Sequence, residues 1–229
     1  MDKSFAKSLT PSVEDYLKAV YSISASGEAA PTSLLAEELG VQPASVTGMV
    51  KRLAEKGYLE HTRYRGVRLT DKGTREALKV IRRHRILETY LNLQLDYSWD
   101  DVHSEAERLE HAASEELIDR MAAALEYPKH DPHGSPIPNK AGEIEDYSLA
   151  TLGEAKPGAT LQIQAIRDED PERLRYVKAL GLTPGVILTV VDCAPYGGHL
   201  TIAFRDRKDT EVIGVDLADN IFVIPFQDK

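Results

Sequence analysis

Residues 128–142, Pro-Lys-His-Asp-Pro-His-Gly-Ser-Pro-Ile-Pro-Asn-Lys-Ala-Gly, hold four prolines and two glycines. Proline lacks the amide hydrogen that helices and central strands need, so this stretch is a linker between two differently built parts of the chain. Ahead of it, apolar residues recur at separations of three and four, the helical period. Behind it come short Val/Ile/Leu/Thr runs near 159–166, 186–191, 199–204, 210–215 and 220–225, separated by turn residues such as Pro195-Tyr-Gly-Gly198. Five short strands predict a small β-barrel, with a helix from Asp170-Pro171 to Leu180 between the first two. The expected fold class is α + β and multidomain.

The helical part is punctuated. Thr10-Pro11 is an N-cap followed by proline at the first helical position, and Tyr16, Leu17, Val20, Tyr21 and Ile23 extend an apolar face to about residue 26. A short helix over 32–39 stops at Gly40, and Pro43 opens another that ends before Gly57. This is the helix-turn-helix pattern. Its second helix keeps Val46, Met49, Val50 and Leu53 inward and leaves Ser45, Thr47, Gly48, Lys51 and Arg52 outward. Two β-like runs around the basic, glycine-containing tip Arg63-Tyr64-Arg65-Gly66 and Arg68 form a wing. Thr70-Asp71 then caps a long helix to about Leu95, followed by helices near 99–111 and from Ser114 to about Leu125.

A winged helix-turn-helix reads DNA by placing its second helix in the major groove and its wing on the backbone or minor groove. The candidates for the groove are Gln42, Ser45, Thr47 and Lys51, with Arg52 on the same outward face and Arg63, Arg65 and Arg68 on phosphates. The formal net charge of -9 does not exclude such a partner, because it is unevenly distributed. Residues 1–95 carry fifteen basic against eleven acidic side chains, 96–146 only four against fourteen, and 147–229 nine against twelve. Within 51–85 there are twelve basic and four acidic residues, a surface suited to phosphate, while the acidic middle suits cations. No run has the roughly 18 consecutive apolar residues of a membrane helix, and the N-terminus lacks a signal-peptide core, so a cytoplasmic protein is expected. The single cysteine, Cys193, excludes an internal disulfide framework or a site of several thiolates.

The acidic middle contains His103, Glu107, Glu110 and His111, whose spacing puts four metal-capable side chains on one helical stripe. Alone, such a stripe is an ordinary solvated helix face. His84 and Glu88 add a second pair at helical spacing, Asp15 lies on the first helix, and Asp168, Glu169, Asp170 and Glu172 form an acidic run behind the linker. A metal-dependent hydrolase could use such a cluster, but the chain has no His-Glu-x-x-His, nucleophile elbow or phosphate-binding glycine loop. A non-enzymatic regulator is expected, and a winged-helix regulator answering a non-metal ligand is the alternative. His61, His130, His133 and His199 are expected to be surface or structural, and Cys193 a small buried hydrophobe.

Together these motifs resemble the diphtheria toxin repressor family of metal-dependent transcriptional regulators over nearly the whole chain: winged domain, long connecting helix, His-x-x-x-Glu-x-x-Glu-His, Pro-Ile-Pro linker and SH3-like third domain. The resemblance implies a winged DNA-binding domain over 1–72, a helical dimerisation and metal-binding domain over 73–127, a linker over 128–150 and an SH3-like domain over 151–229. It implies a homodimer that binds double-stranded operator DNA when divalent metal is present and represses metal-uptake genes. The primary metal site would fall on Asp15, Glu107, Glu110 and His111, and an ancillary one on His84, Glu88 and His103, completed by Asp170 and, less closely matched, Glu172 or Asp168. The iron-responsive members carry methionine where this chain has Asp15 and cysteine where it has Glu107. Hard oxygen in place of sulfur favours Mn²⁺, with Fe²⁺ the alternative. The two-domain manganese regulators carry glutamate where this chain has Lys18, a departure that favours two separate sites.

Overall fold

The computed structural model describes residues 9–24, 27–62, 66–144, 149–167 and 170–226, without the side chains of 61 and 62. The chain forms two compact units, one gathering residues up to His84 with Glu110–Glu115 and Pro138–Ile144, the other holding Arg85–Leu109, Glu116–Ile137 and Glu145–Lys229.

The first unit opens with α1 (Pro11–Ile23), α2 (Thr32–Glu38) and α3 (Pro43–Glu55). Pro11 and Pro43 sit at the first turns of their helices, where the missing amide hydrogen costs nothing. The turn between α2 and α3 depends on Gly40 at φ +60, which lets the Val41 amide return 3.0 Å to the Ala36 carbonyl. The wing strands β1 (Leu59–Thr62) and β2 (Gly66–Leu69) pair antiparallel from Leu59↔Leu69 to Thr62↔Gly66. Ala30 adds a bridge to Val67, exchanging hydrogen bonds of 2.8 and 2.9 Å. Leu17, Val20, Leu35, Val46, Val50, Leu53 and Val67 close the core, so α1 shares its apolar face with the helix-turn-helix and the wing. Arg63 and Arg65, the expected wing tip, lie outside the described residues.

Helix α4 (Asp71–Leu95) begins at the cap expected for it. Thr70 Oγ1 accepts from the Gly73 amide at 3.1 Å and donates to the Gly57 carbonyl at 2.8 Å. The next helix, α5 (Val102–Leu109), is shorter than its apolar period suggests. Glu110 and His111 lie in the turn that follows, ahead of α6 (Glu115–Ala124). The stripe is thus divided: His103 and Glu107 are on the helix, and Glu110 and His111 leave it because their side chains are held by ion pairs to other parts of the first unit.

The second unit is built on a six-stranded antiparallel sheet in the order β3-β8-β4-β5-β6-β7. Its strands are β3 (Ala150–Thr151), β4 (Thr160–Ile166), β5 (Ile187–Cys193), β6 (Leu200–Phe204), β7 (Thr210–Ile213) and β8 (Ile221–Pro225). Two elements escape the periodicity: β3 is only two residues long, and α8 (Val215–Ala218) begins where Gly214 ends the fourth expected run. Helix α7 (Pro171–Ala179) contributes Leu174 and Val177 to a core that also holds Leu152, Ile163, Leu188, Ile202, Ile221 and Trp99.

The proline-rich segment is not slack in this unit. The Ile166 amide donates to the His133 carbonyl at 2.9 Å, Gly134 closes a turn onto Asp131 at 3.0 Å, and Trp99 Nε1 donates to the Pro132 carbonyl at 2.8 Å. Gly134 is required here, since its φ is +89 and a Cβ would lie 2.0 Å from the Gln164 carbonyl oxygen. Gly134→Ala should therefore cost roughly 2–4 kcal/mol of stability, read as a lower urea midpoint; a midpoint within error of the parent would contradict this account of the turn.

Candidate metal centre

In the first unit three ligand-capable side chains converge: Asp15 from α1, and Glu110 and His111 from the turn after α5, with ligand atoms within 4.8 Å of one another. His111 Nε2 lies 2.7 Å from Asp15 Oδ1 and 3.5 Å from Glu110 Oε1. Glu110 is the hub. Its side chain is 0% exposed, its Oε1 accepts from Lys18 Nζ at 3.0 Å, and its Oε2 lies 2.6 Å from His84 Nδ1. A carboxylate buried this completely is tolerable only with compensating charge and hydrogen bonds. Burial pushes the Glu110 pKa up, but the His84 hydrogen bond and the Lys18 ammonium outweigh it, and the net shift is downward.

His111 is held from both sides. Its Nδ1 lies 2.7 Å from Glu14 Oε2, which also pairs with Arg83 Nη2 at 2.7 Å, while Arg83 Nη1 reaches Glu115 at 3.1 Å. Burial lowers the His111 pKa, but Glu14, Asp15 and Glu110 outweigh it and raise it above the ordinary 6.5. Asp15 is itself raised, mainly by burial and against the pull of His111. The cluster is rich in oxygen and already holds one cation, the Lys18 ammonium, against its most buried carboxylate. A donor set of carboxylates and imidazole fits a hard to borderline divalent ion.

Two participants were not anticipated. Glu14 precedes Asp15 and looks like an acidic first turn of a helix; its partner lies 97 residues on. His84, expected in the ancillary set, is hydrogen-bonded to Glu110.

In the second unit His103 Nδ1 lies 3.2 Å from Glu88 Oε1, and His103 Nε2 lies 3.8 Å from Glu107 Oε1. Asp170 is the N-cap of α7, its Oδ1 accepting from the Glu172 amide at 2.8 Å. Among the described residues, neither Asp170 nor Glu172 falls in a set of three ligand atoms within 4.8 Å, whereas Glu88, Asp131 and His133 do. Asp168 lies outside the described residues. His133, expected to be surface or structural, is buried and stacks at 4.8 Å between centroids on Trp99. Burial and the Glu88 charge push the Asp131 carboxyl up to about 6, against the pull of Arg85 and His133. Cys193 is partly buried and its Sγ contacts the Ala155 carbonyl at 3.6 Å.

On the helix-turn-helix, Gln42, Ser45, Thr47, Lys51 and Arg52 are exposed. The Thr47 hydroxyl donates to the Pro43 carbonyl of its own helix at 3.1 Å, and Arg68 Nη1 donates to the Gly27 carbonyl at 2.8 Å.

Three family models match in succession. Residues 8–67 match the N-terminal DNA-binding domain of iron-dependent repressors, 70–139 their metal-binding and dimerisation domain, and 150–225 the FeoA domain. The MntR transcriptional regulator of Oceanobacillus iheyensis is 37% identical over 122 residues, 53% of this chain and 82% of its own length. The chain belongs to the iron-dependent repressor family. A solved manganese-dependent transcriptional repressor in complex with manganese is 36% identical, with a TM-score of 0.86 over 93% of this chain and all of its own. IdeR of T. acidophilum is 27% identical with a TM-score of 0.80, covering 96% of this chain and all of that one. ScaR with bound Zn²⁺ is 28% identical with a TM-score of 0.81, over 93% and 99% respectively. The iron-dependent repressor architecture of DNA-binding domain, dimerisation domain and SH3-like FeoA domain therefore accounts for the α + β sequence pattern. These relatives are transcriptional regulators, and among the described residues no helix is long and apolar enough to cross a membrane.

The electrostatics yield two expectations for metal-free protein. Lys18→Met removes the ammonium from a buried carboxylate and should cost roughly 1–3 kcal/mol in chelator, with added Mn²⁺ raising the variant's melting temperature by more than the parent's. Because the folded His111 pKa is raised, its contribution is fully present below the unfolded value and is lost as pH rises through the folded one. Unfolding free energy in chelator should decline across that window, and His111→Gln should flatten the decline.

Proposed function

We propose that this member of the iron-dependent repressor family is a manganese-dependent transcriptional repressor that binds double-stranded operator DNA as a homodimer. The domains are then 1–72, winged and DNA-binding; 73–127, helical, dimerising and metal-binding; 128–150, the linker; and 151–229, SH3-like. The observation that carries the reading is the convergence of Asp15, on α1, with the buried Glu110 and His111. The names of the MntR relatives and the manganese complex of a similar repressor support the choice of ion. The resemblance adds Glu107 to the Asp15, Glu110 and His111 set.

Bound there, a divalent ion would supply positive charge to a cluster whose buried Glu110 otherwise relies on the Lys18 ammonium and the His84 hydrogen bond. Asp15 holds its place through α1, whose apolar face is shared with the helix-turn-helix, so an anchored Asp15 fixes the orientation of α3. Without that anchor, crowded carboxylates favour a looser α1. The switch is a shift between two populations, and its size is set by the difference in ion affinity between the anchored and loose states. Lys51 and Arg52 project from α3 toward solvent in the position the fold uses for the major groove.

Operator affinity measured by fluorescence anisotropy at fixed ionic strength should tighten by about 5- to 150-fold on adding Mn²⁺. Asp15→Asn should remove that response and leave the metal-free affinity in place. Lys51→Ala should weaken binding at every Mn²⁺ concentration and lower the salt slope by about one. Equal affinity in Mn²⁺ and in chelator would contradict the reading, and a half-maximal response at lower free Fe²⁺ than Mn²⁺ would reassign the ion.

A further inference from the structure

Helix α3 carries a glycine that its own fold does not call for. Gly48 lies inside the helix, two residues from both Val46 and Val50, whose side chains are buried. With about 3.6 residues per turn that spacing puts it on the opposite, outward face, where it is exposed. A glycine in a helix interior weakens the helix relative to alanine, and it belongs where φ must be positive or where something approaches the backbone closely. The first reason does not apply, because Gly48 is helical and is not among the positive-φ glycines. The second does not apply within the chain, because among the described residues no atom lies within 4 Å of the place a Cβ would take. Gly73 and Gly134 show the contrast, since a Cβ at either would meet a backbone carbonyl oxygen at 2.0 Å. An approach from outside the chain is the remaining reason, and residues 8–67 match a DNA-binding domain.

The neighbouring side chains define what such an approach would read. Thr47 Oγ1 donates to the Pro43 carbonyl at 3.1 Å, one turn back along the helix. With the hydroxyl turned onto the backbone, the γ-methyl is the part of Thr47 left for a partner. Ala44, one turn before Gly48 and also exposed, offers only its β-methyl. The centre of the exposed face is thus shallow and apolar, and charge begins at Lys51. In the major groove the thymine C5-methyl is the apolar feature among the base edges, and threonine and alanine methyls pack on it. A shallow face also lets base edges come nearer the helix backbone than a side chain at 48 would permit.

We propose that Gly48 and Thr47 set the sequence preference of α3: Gly48 admits a base pair against the helix backbone, and the Thr47 methyl selects thymine there through its C5-methyl. The inference rests on the reading of this chain as an operator-binding regulator and adds the chemistry of the operator, a T·A pair in each half-site facing residues 47 and 48. Lys51 then contributes charge and affinity, and the 47–48 step contributes discrimination.

The test begins with a random-sequence duplex library, from which the full chain selects its preferred sequence in Mn²⁺. Each thymine of the selected duplex is then replaced by deoxyuridine, which removes only the C5-methyl, and affinities are measured by fluorescence anisotropy. Loss of a contacted methyl should weaken binding by about fourfold per methyl. Thr47→Ser, which keeps the hydroxyl and drops the methyl, should bind the thymine and uracil duplexes equally. Gly48→Ala should raise the melting temperature, because alanine is the better helix former. It should nevertheless weaken binding to the selected duplex by about tenfold or more, without changing the salt slope. A glycine needed only by the fold would lower stability and affinity together. The proposal is overturned if Gly48→Ala binds as tightly as the parent or lowers the melting temperature, if no uracil substitution weakens binding, or if Thr47→Ser keeps the thymine preference. A parent chain that selects no sequence in Mn²⁺ overturns the operator-binding reading instead, and this inference with it.

Discussion

The fully buried carboxylate of Glu110 is the constraint around which the first unit is arranged. An isolated carboxylate in that position would cost several kcal/mol in lost hydration. The structure offsets this with the Lys18 ammonium from α1 and the imidazole of His84 from α4, on separate oxygens. Because Glu110 sits in a turn rather than a helix, its position depends on those partners as much as on its own backbone. The neighbouring His111 extends the network to Asp15 and Glu14, and Glu14 extends it to Arg83. Three stretches distant in sequence are therefore coupled by charge, and α1 is the one that also packs under the helix-turn-helix.

Under the proposed function, that arrangement lets a small ion control a large surface. Burying charge makes the cluster sensitive to what neutralises it, whether proton, ammonium or divalent cation. Helix α1 carries both Asp15 and Lys18, so the same element offers a ligand and an internal competitor for the same carboxylate. A regulator built this way need not deform its recognition helix; it needs only to set how often α1 is anchored.

Much of this was legible in the sequence, and the failures have physical causes. Proline at 11 and 43, glycine at 40 and the Thr70 cap act locally, and the elements they delimit follow within a few residues. The strands behind the linker were legible because alternation and turn residues are also local signals. The stripe from His103 to His111 was misleading as geometry, since a helical period continues through Glu110 and His111 although tertiary ion pairs draw them out of α5. Glu14 was missed for the same reason, since its partners His111 and Arg83 are distant in the chain. The proline-rich stretch was correctly non-helical, yet composition could not show that its turn is fastened to β4.

The central claim is that a cation held by Asp15, Glu110 and His111 anchors α1. Amide hydrogen exchange across Val13–Val20 and Glu110–Ser114 measures that anchoring without DNA. Saturating Mn²⁺ should slow exchange in both segments together by about tenfold or more, and Glu110→Gln should abolish the slowing. Exchange in α1 that is the same with Mn²⁺ and with chelator, while Mn²⁺ is bound, would contradict the account.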